Sequence, residues 1–246
     1  MSQASKTVLI TGGGTGVGRA TALQLAARGY DIAINYSRSL EDAEKTKADV
    51  EALGRRAIVV RCDVSKDDEV RSMLATCEAE FGRLDGLVNN AGTTHFVDLA
   101  DLEGMTESMW DDILGVNLKG AFFVTRAAVP LMKKTGGSIV NVASIAGITG
   151  VGSSLAYAAS KGGMITMTKT LAQALAPEIR VNSVCPGVII SRWLKGHQAR
   201  VDQNIAETPL KKASSTDDVA ENITFLIDGG NMVTGQDIVV DGGYTL

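Results

Sequence analysis

Thr11-Gly12-Gly13-Gly14-Thr15-Gly16-Val17-Gly18 decides how this chain folds. It follows a short apolar run at residues 7–10 and precedes a helical stretch at residues 19–28. The apolar face of that stretch is Ala20, Leu23, Ala26 and Ala27, and Gly29 stops it. A strand that turns through glycines into a helix brings backbone N–H groups and the positive end of the helix dipole to one point, where a phosphate can sit. Gly12, Gly16 and Gly18 depart from the G-x-G-x-x-G spacing but keep its physical content, a tight turn with room for close backbone approach.

The alternation continues outward from the turn. Further strands are expected at residues 31–35, 57–61, 84–88, 138–142, 181–184 and 237–240, and further helices at 41–53, 67–81, 110–133, 157–175 and 216–226. Residues 99–109 read as loop mixed with short helix, and residues 189–210, polar and without a clean period, read as an insertion. Strands followed by helices across short glycine-rich turns predict an α/β fold: a single-domain, Rossmann-like, doubly wound parallel sheet of about seven strands with helices on both faces, spanning residues 1–246. Ligands of such sheets sit beyond the carboxyl ends of the strands, at the switch point. The glycine turn, Asn89-Asn90-Ala91-Gly92, Ser144 and Pro186-Gly187 all follow strands, so all should gather at that edge.

The bulk properties bound the function. Of 246 residues, 45% are hydrophobic, enough for a large core, and only 4% are aromatic, so the interior should be aliphatic. The net charge of −4 with no basic block argues against nucleic acid or an anionic membrane surface as a partner. Cys62, Cys77 and Cys185 are scattered and odd in number, which suits a reducing cytosol. The start reads as no signal peptide, and no apolar run approaches the ~20 residues of a membrane span, so a cytoplasmic protein is expected. His95 and His197 are the only histidines, and no spacing joins them to Cys or carboxylates, so no metal site is expected.

Tyr157 and Lys161 lie four apart in a helical segment and so share one face, with Ser144 upstream. A tyrosine beside a fixed ammonium, facing a bound nicotinamide, moves a proton while a hydride moves, which points to a carbonyl or alcohol oxidoreductase. At the end of the second strand, where a carboxylate would bind ribose hydroxyls and repel a 2′-phosphate, stand Asn35 and Tyr36, then Ser37 and Arg38. A hydroxyl donor and a cation there favour NADP(H) over NAD(H). Asp63, after the third strand, has two readings: an acceptor for the adenine amine or a turn residue. Asn90 likewise either faces a cofactor or serves its turn.

Taken together, Thr11 to Gly18, Asp63, Asn89-Asn90-Ala91-Gly92, Asn117, Ser144, Tyr157-x-x-x-Lys161 and Pro186-Gly187 resemble the short-chain dehydrogenase/reductase family over essentially the whole length. The closing segment from Phe225 through Thr234-Gly235-Gln236 to Gly243 is most similar to that of the β-ketoacyl-(acyl-carrier-protein) reductases within it. The resemblance implies a catalytic set of Asn117, Ser144, Tyr157 and Lys161. Tyr157 is general acid in reduction, with its phenol pKa lowered by Lys161 from ~10. Ser144 orients the substrate oxygen, and Asn117 holds a water that links Lys161 to solvent. It implies a cofactor-binding set of Gly12, Gly14, Thr15, Gly16, Val17 and Gly18 in the turn; Ser37, Arg38, Asp63 and Val64 at the adenosine end; Asn90, Ala91 and Gly92; Tyr157 and Lys161; and Pro186, Gly187, Ile189 and Ser191 beside the nicotinamide. Many NADP-using relatives carry a basic residue where Thr15 stands. Residues 189–210 match a substrate lid, with Trp193 and Leu194 placed to close over substrate. The resemblance further implies a homotetramer paired through residues 110–133 and 225–246.

The expected reaction is NADPH-dependent reduction of a ketone, a 3-oxoacyl thioester among the candidates. An NAD-dependent alcohol or sugar dehydrogenase is the nearer alternative, and a catalytically silent NADP-binding sensor or scaffold is the alternative of another class. An acyl-carrier partner would need a basic patch, for which Arg192, Lys195 and Arg200 stand against Asp98, Asp101 and Glu103.

Overall fold

The computed structural model describes residues 5–190 and 198–246. In chain order the elements are β1 (Thr7–Ile10), α1 (Gly16–Ala27), β2 (Asp31–Tyr36), α2 (Leu40–Ala52), β3 (Ala57–Arg61), α3 (Asp67–Phe81), β4 (Gly86–Asn89) and α4 (Glu107–Leu114). A π-helical segment (Gly115–Gly120) leads into α5 (Ala121–Met132). Then come β5 (Gly137–Val142), α6 (Ala146–Thr149), α7 (Leu155–Leu175), β6 (Ile179–Pro186), α8 (Gln198–Glu207), α9 (Thr216–Asp228) and β7 (Asp237–Val240). The seven strands form one sheet in the order β3-β2-β1-β4-β5-β6-β7, every pairing parallel.

The strands are near-continuous apolar runs because helices cover both faces. Side chains alternate between two cores, as the period of two requires. Val8, Ile10, Val88, Val140 and Val142 join one core with Leu25 of α1 and Val219, Ile223 and Leu226 of α9. Leu9, Leu87 and Ile139 join the other with Val70 and Met73 of α3 and Val124, Ala128 and Met132 of α5. Order reverses between β1 and β4, whose neighbouring carboxyl ends carry the glycine turn and the Asn-Asn-Ala-Gly turn. That is the switch-point crevice.

One element departs from expectation. The single long helix predicted at residues 110–133 is broken into α4, the π-helical segment and α5. The break is centred on Asn117, which is fully buried and whose side chain is held from outside the helix, as described below. A π-turn inserts one extra residue and rotates the side chains around it.

Candidate active site

The carboxyl ends of the strands frame a cleft of ≈ 1030 Å³. At its floor the glycine turn takes left-handed backbone at Gly12 (φ +61°) and Gly16 (φ +55°). A Cβ on Gly16 would meet nothing within 4 Å, so that position faces open space in the cleft. A Cβ on Gly18 would lie 2.4 Å from the Gly12 carbonyl oxygen and 2.7 Å from Asn90 Nδ2. Gly18 therefore works behind the cleft wall, letting α1 lie against the turn. Gly14, Thr15 and Val17 line the cleft. Thr15 is the N-cap of α1 but makes no side-chain cap bond, and the first turn holds no acidic residue. Helices α4, α7 and α9 are by contrast capped by Thr106, Ser154 and Ser215. The opening N–H groups of α1 are left for an anion, the arrangement that fits a pyrophosphate.

Three buried or half-buried polar side chains hold the turn. Asn90 Nδ2 donates to the carbonyls of Thr11 (2.9 Å) and Gly12 (3.1 Å). Thr11 Oγ1 accepts from the amides of Asn90 (2.9 Å) and Ala91 (3.0 Å). Asn35 Oδ1 accepts from Gly12 N at 3.2 Å while its amide donates to the Cys62 carbonyl at 3.0 Å. Asn90 thus serves the turn through its side chain while its segment, with Ala91 and Gly92, lines the cleft. Ser37 and Arg38 are exposed at the rim, and Arg38 has no ion pair among the described residues. Asp63 is half-buried in the wall. Its Oδ1 accepts from Ser65 N (3.0 Å) and Ser65 Oγ (2.7 Å), so it shapes its turn and borders the cleft at once. Val64 lines the cleft beside it.

At the other end, Ser144, Tyr157 and Lys161 converge. Ser144 leaves β5 with Ile145 N bonded to the Pro186 carbonyl (3.0 Å), and its Oγ accepts from Ala146 N at 3.1 Å. Tyr157 and Ser144 both line this part of the cleft. Ser154 Oγ caps α7 by accepting from Tyr157 N at 3.3 Å. Lys161, 4% exposed, donates from Nζ to the Val142 carbonyl at 2.7 Å, and its ammonium stands 5.6 Å from the Tyr157 ring centroid. The segment after Ser144 presses on α7 at this level: a Cβ on Gly147 would lie 2.5 Å from the Lys161 carbonyl carbon. Burial brings the Lys161 pKa down to about 8. Burial also raises the Tyr157 phenol above its ordinary value, with the neighbouring Ser144 hydroxyl opposing. The expected lowering of Tyr157 by Lys161 does not offset this, because desolvation dominates at the phenol.

Asn117 sits one layer back. Its Oδ1 accepts from Thr93 N (2.8 Å), and its Nδ2 donates to the Thr93 carbonyl (3.0 Å) and to Ser160 Oγ (3.1 Å). Ser160 Oγ in turn donates to the Tyr157 carbonyl at 2.7 Å. The side chain of Asn117 is fully engaged in tying the loop after β4 to α7.

Pro186, Gly187 and Ile189 line the cleft beyond β6, and Ile189 is fixed by a bridge to Ser214. Ser191, Arg192, Trp193, Leu194, Lys195 and His197 lie outside the described residues. The remaining wall is apolar at Phe96, Leu99 and Val151 and polar at Gln203, Asn204, Glu207 and Tyr244. His95 pairs with Asp112 at 2.9 Å. Among the described residues no group of three potential metal ligands occurs, and no helix is long and apolar enough to cross a membrane.

Sequence reasoning missed Thr11, Ser154 and Ser160 as supports and Tyr244 as a cleft wall; Gln203, Asn204 and Glu207 fall within the expected lid at residues 189–210, but none was singled out. Ser154, three before Tyr157, carried a readable N-cap signal. Ser160 and the α8 residues meet the site only through tertiary contact, and no spacing announces them.

Comparison with known proteins agrees with this geometry. Residues 12–245 match the family described as enoyl-(acyl carrier protein) reductase. The chain is 41% identical over 242 residues to a Streptomyces violaceoruber protein assigned as ketoacyl reductase 2 of the granaticin polyketide synthase, covering 97% of this chain and 95% of that one. It is 38% identical to the 3-oxoacyl-(acyl-carrier-protein) reductase FabG of Staphylococcus epidermidis, covering 97% and 98%. A solved Burkholderia xenovorans structure, assigned as a short-chain dehydrogenase/reductase, superposes with a TM-score of 0.94 at 33% identity, covering 99% of each chain.

Proposed function

The chain belongs to the short-chain dehydrogenase/reductase family of oxidoreductases, and from that premise we propose that it reduces a ketone to a secondary alcohol at the expense of NADPH. The observation that carries the reading is Ser144, Tyr157 and a buried Lys161 converging in one cleft with an uncapped helix N-terminus.

The residues present fit the dinucleotide. The open face of Gly16 and the free amides of α1 would take the pyrophosphate. Asp63 would meet the adenine, Ser37 and Arg38 the 2′-phosphate, and Pro186, Gly187, Ile189 and Ser191 the nicotinamide. NADPH, when bound, supplies the hydride. The protein supplies the rest. Ser144 Oγ donates to the substrate carbonyl oxygen and fixes it beside Tyr157 Oη. Tyr157, held protonated at neutral pH by its raised pKa, gives its proton to the developing alkoxide. Lys161 stabilises the phenolate left behind and returns a proton to it. Because the Asn117 side chain is fully bonded, a water relay from Lys161 to solvent would use main-chain carbonyls of the π-helical segment. Residues 189–210 act as the substrate lid.

A 3-oxoacyl thioester is the favoured substrate, by analogy with the relatives named as ketoacyl and 3-oxoacyl reductases. NAD(H) use is the second reading, favoured by one observation: Thr15, in the turn, is not basic, which leaves Arg38 as the cation for a 2′-phosphate. Retention of Ser144, Tyr157 and Lys161 argues against a silent sensor. The exposed faces of α4–α5 and of residues 225–246 suit the pairing of a homotetramer. Steady-state rates with NADPH and NADH, for the wild type and Tyr157→Phe, test the reading.

A further inference from the structure

We propose that Asn204 binds substrate, its amide donating a hydrogen bond to a second, uncharged oxygen of the ketone, separate from the carbonyl that is reduced. The assignment rests on the ketone-reductase reading above. Asn204 lines the cleft from α8 and is 7% exposed. Among the described residues its Nδ2 has no acceptor, and its Oδ1 is approached only by Thr208 Oγ1 at 3.5 Å. Asn204 Nδ2 is not among the fully buried atoms that lack a partner, so it opens to the cleft that the residue lines, where an acceptor oxygen of a ligand can meet it.

The main chain at Asn204 is held in place. Thr208, fully buried, donates to the Asn204 carbonyl from both N (2.8 Å) and Oγ1 (2.7 Å). The chain after it is pinned by Leu210 N donating to the Gly242 carbonyl at 3.2 Å. Gln203 cannot substitute for Asn204, since its Nε2 already donates to Glu207 Oε1 at 2.8 Å. Carboxylates at Asp98, Asp112 and Glu207 also line the cleft, and a carbonyl, ester or hydroxyl oxygen can accept from Asn204 without meeting their repulsion. The ligand class is therefore a neutral ketone with a second oxygen function, such as a 3-oxoester, a 3-oxothioester or a diketone.

The test compares ethyl acetoacetate with heptan-2-one, a ketone of equal chain length that lacks the second carbonyl, using NADPH and the Asn204→Ala and Asn204→Asp proteins. The expected result is a loss of about threefold to tenfold in kcat/KM for the ketoester with Asn204→Ala, carried by KM. A larger loss is expected with Asn204→Asp, and no change for heptan-2-one or for the KM of NADPH. Equal loss for both ketones, loss confined to NADPH, or no loss would overturn the assignment. Ligand-observed NMR of ethyl acetoacetate on Tyr157→Phe with NADP⁺, with and without Asn204→Ala, reads the contact without turnover. Binding that depends on Asn204 in a protein that reduces no ketone would overturn the reductase reading and leave the contact standing.

Discussion

Tyr157 and Lys161 sit one turn apart yet are shifted oppositely from their free values, and burial drives both shifts. A phenol that keeps its proton at neutral pH suits reduction, where the tyrosine gives a proton away. Tyr157→Phe should lower kcat by about 10²–10⁴-fold with an unchanged melting temperature, because only the proton donor is removed. Lys161 makes a sharper prediction. Its folded pKa of about 8 lies below the ordinary 10.5. Below pH 8 the folded chain carries a buried ammonium at full cost; between about 8 and 10.5 it releases the proton before the unfolded chain does, and the cost disappears. Stability from this group therefore rises with pH across that window. Lys161→Met should abolish turnover yet raise stability by about 1–3 kcal/mol at pH 7, with the gain fading toward pH 10.5. Thermal unfolding at pH 7 and at pH 10 checks both signs; a destabilised Lys161→Met protein at pH 7 would contradict the assigned burial cost.

At the scale of elements, the turn and the broken helix do the positioning. Gly16 and Gly18 both precede or open α1, but they act differently. Gly18→Ala would place a methyl 2.4 Å from a backbone oxygen and should cost about 2–3 kcal/mol of stability by overpacking. Gly16→Ala meets open space at φ +55° and should cost only about 1 kcal/mol, while raising the KM for the dinucleotide by narrowing the pyrophosphate seat. Denaturant unfolding and cofactor titration separate the two. The glycine turn, most strands and the Tyr157–Lys161 helix were legible because their signals are local: apolar runs, glycine stops and the i, i+4 spacing. The π-helical segment was not, since its cause is Asn117 bonding to Thr93 and Ser160, residues 24 and 43 positions away. Helix α8 was missed inside a stretch read as irregular, because few of its residues are apolar and its buried face includes Asn204.

The whole molecule brings residues from Gly12 to Tyr244 to one edge of one sheet, and that edge was foreseeable from topology alone: parallel strands, right-handed crossovers and a reversal beside β1. What no topology states is which wall of the cleft meets the substrate, since those side chains arrive from α8 and the carboxyl-terminal turn. Assembly is the other property of this scale. Phe122, Phe225 and Met232 are exposed apolar side chains within the two surfaces expected to pair, so sedimentation should give a tetramer, and a monomeric mass would remove that expectation. The central claim is ketone reduction by NADPH with Tyr157 as the proton donor. It is tested most directly by the rate of NADPH oxidation with an acetoacetyl thioester, for the wild type and for Tyr157→Phe. The account predicts turnover that is faster with NADPH than with NADH and is lost in Tyr157→Phe. Turnover that survives the loss of the Tyr157 hydroxyl, or a preference for NADH, would contradict it.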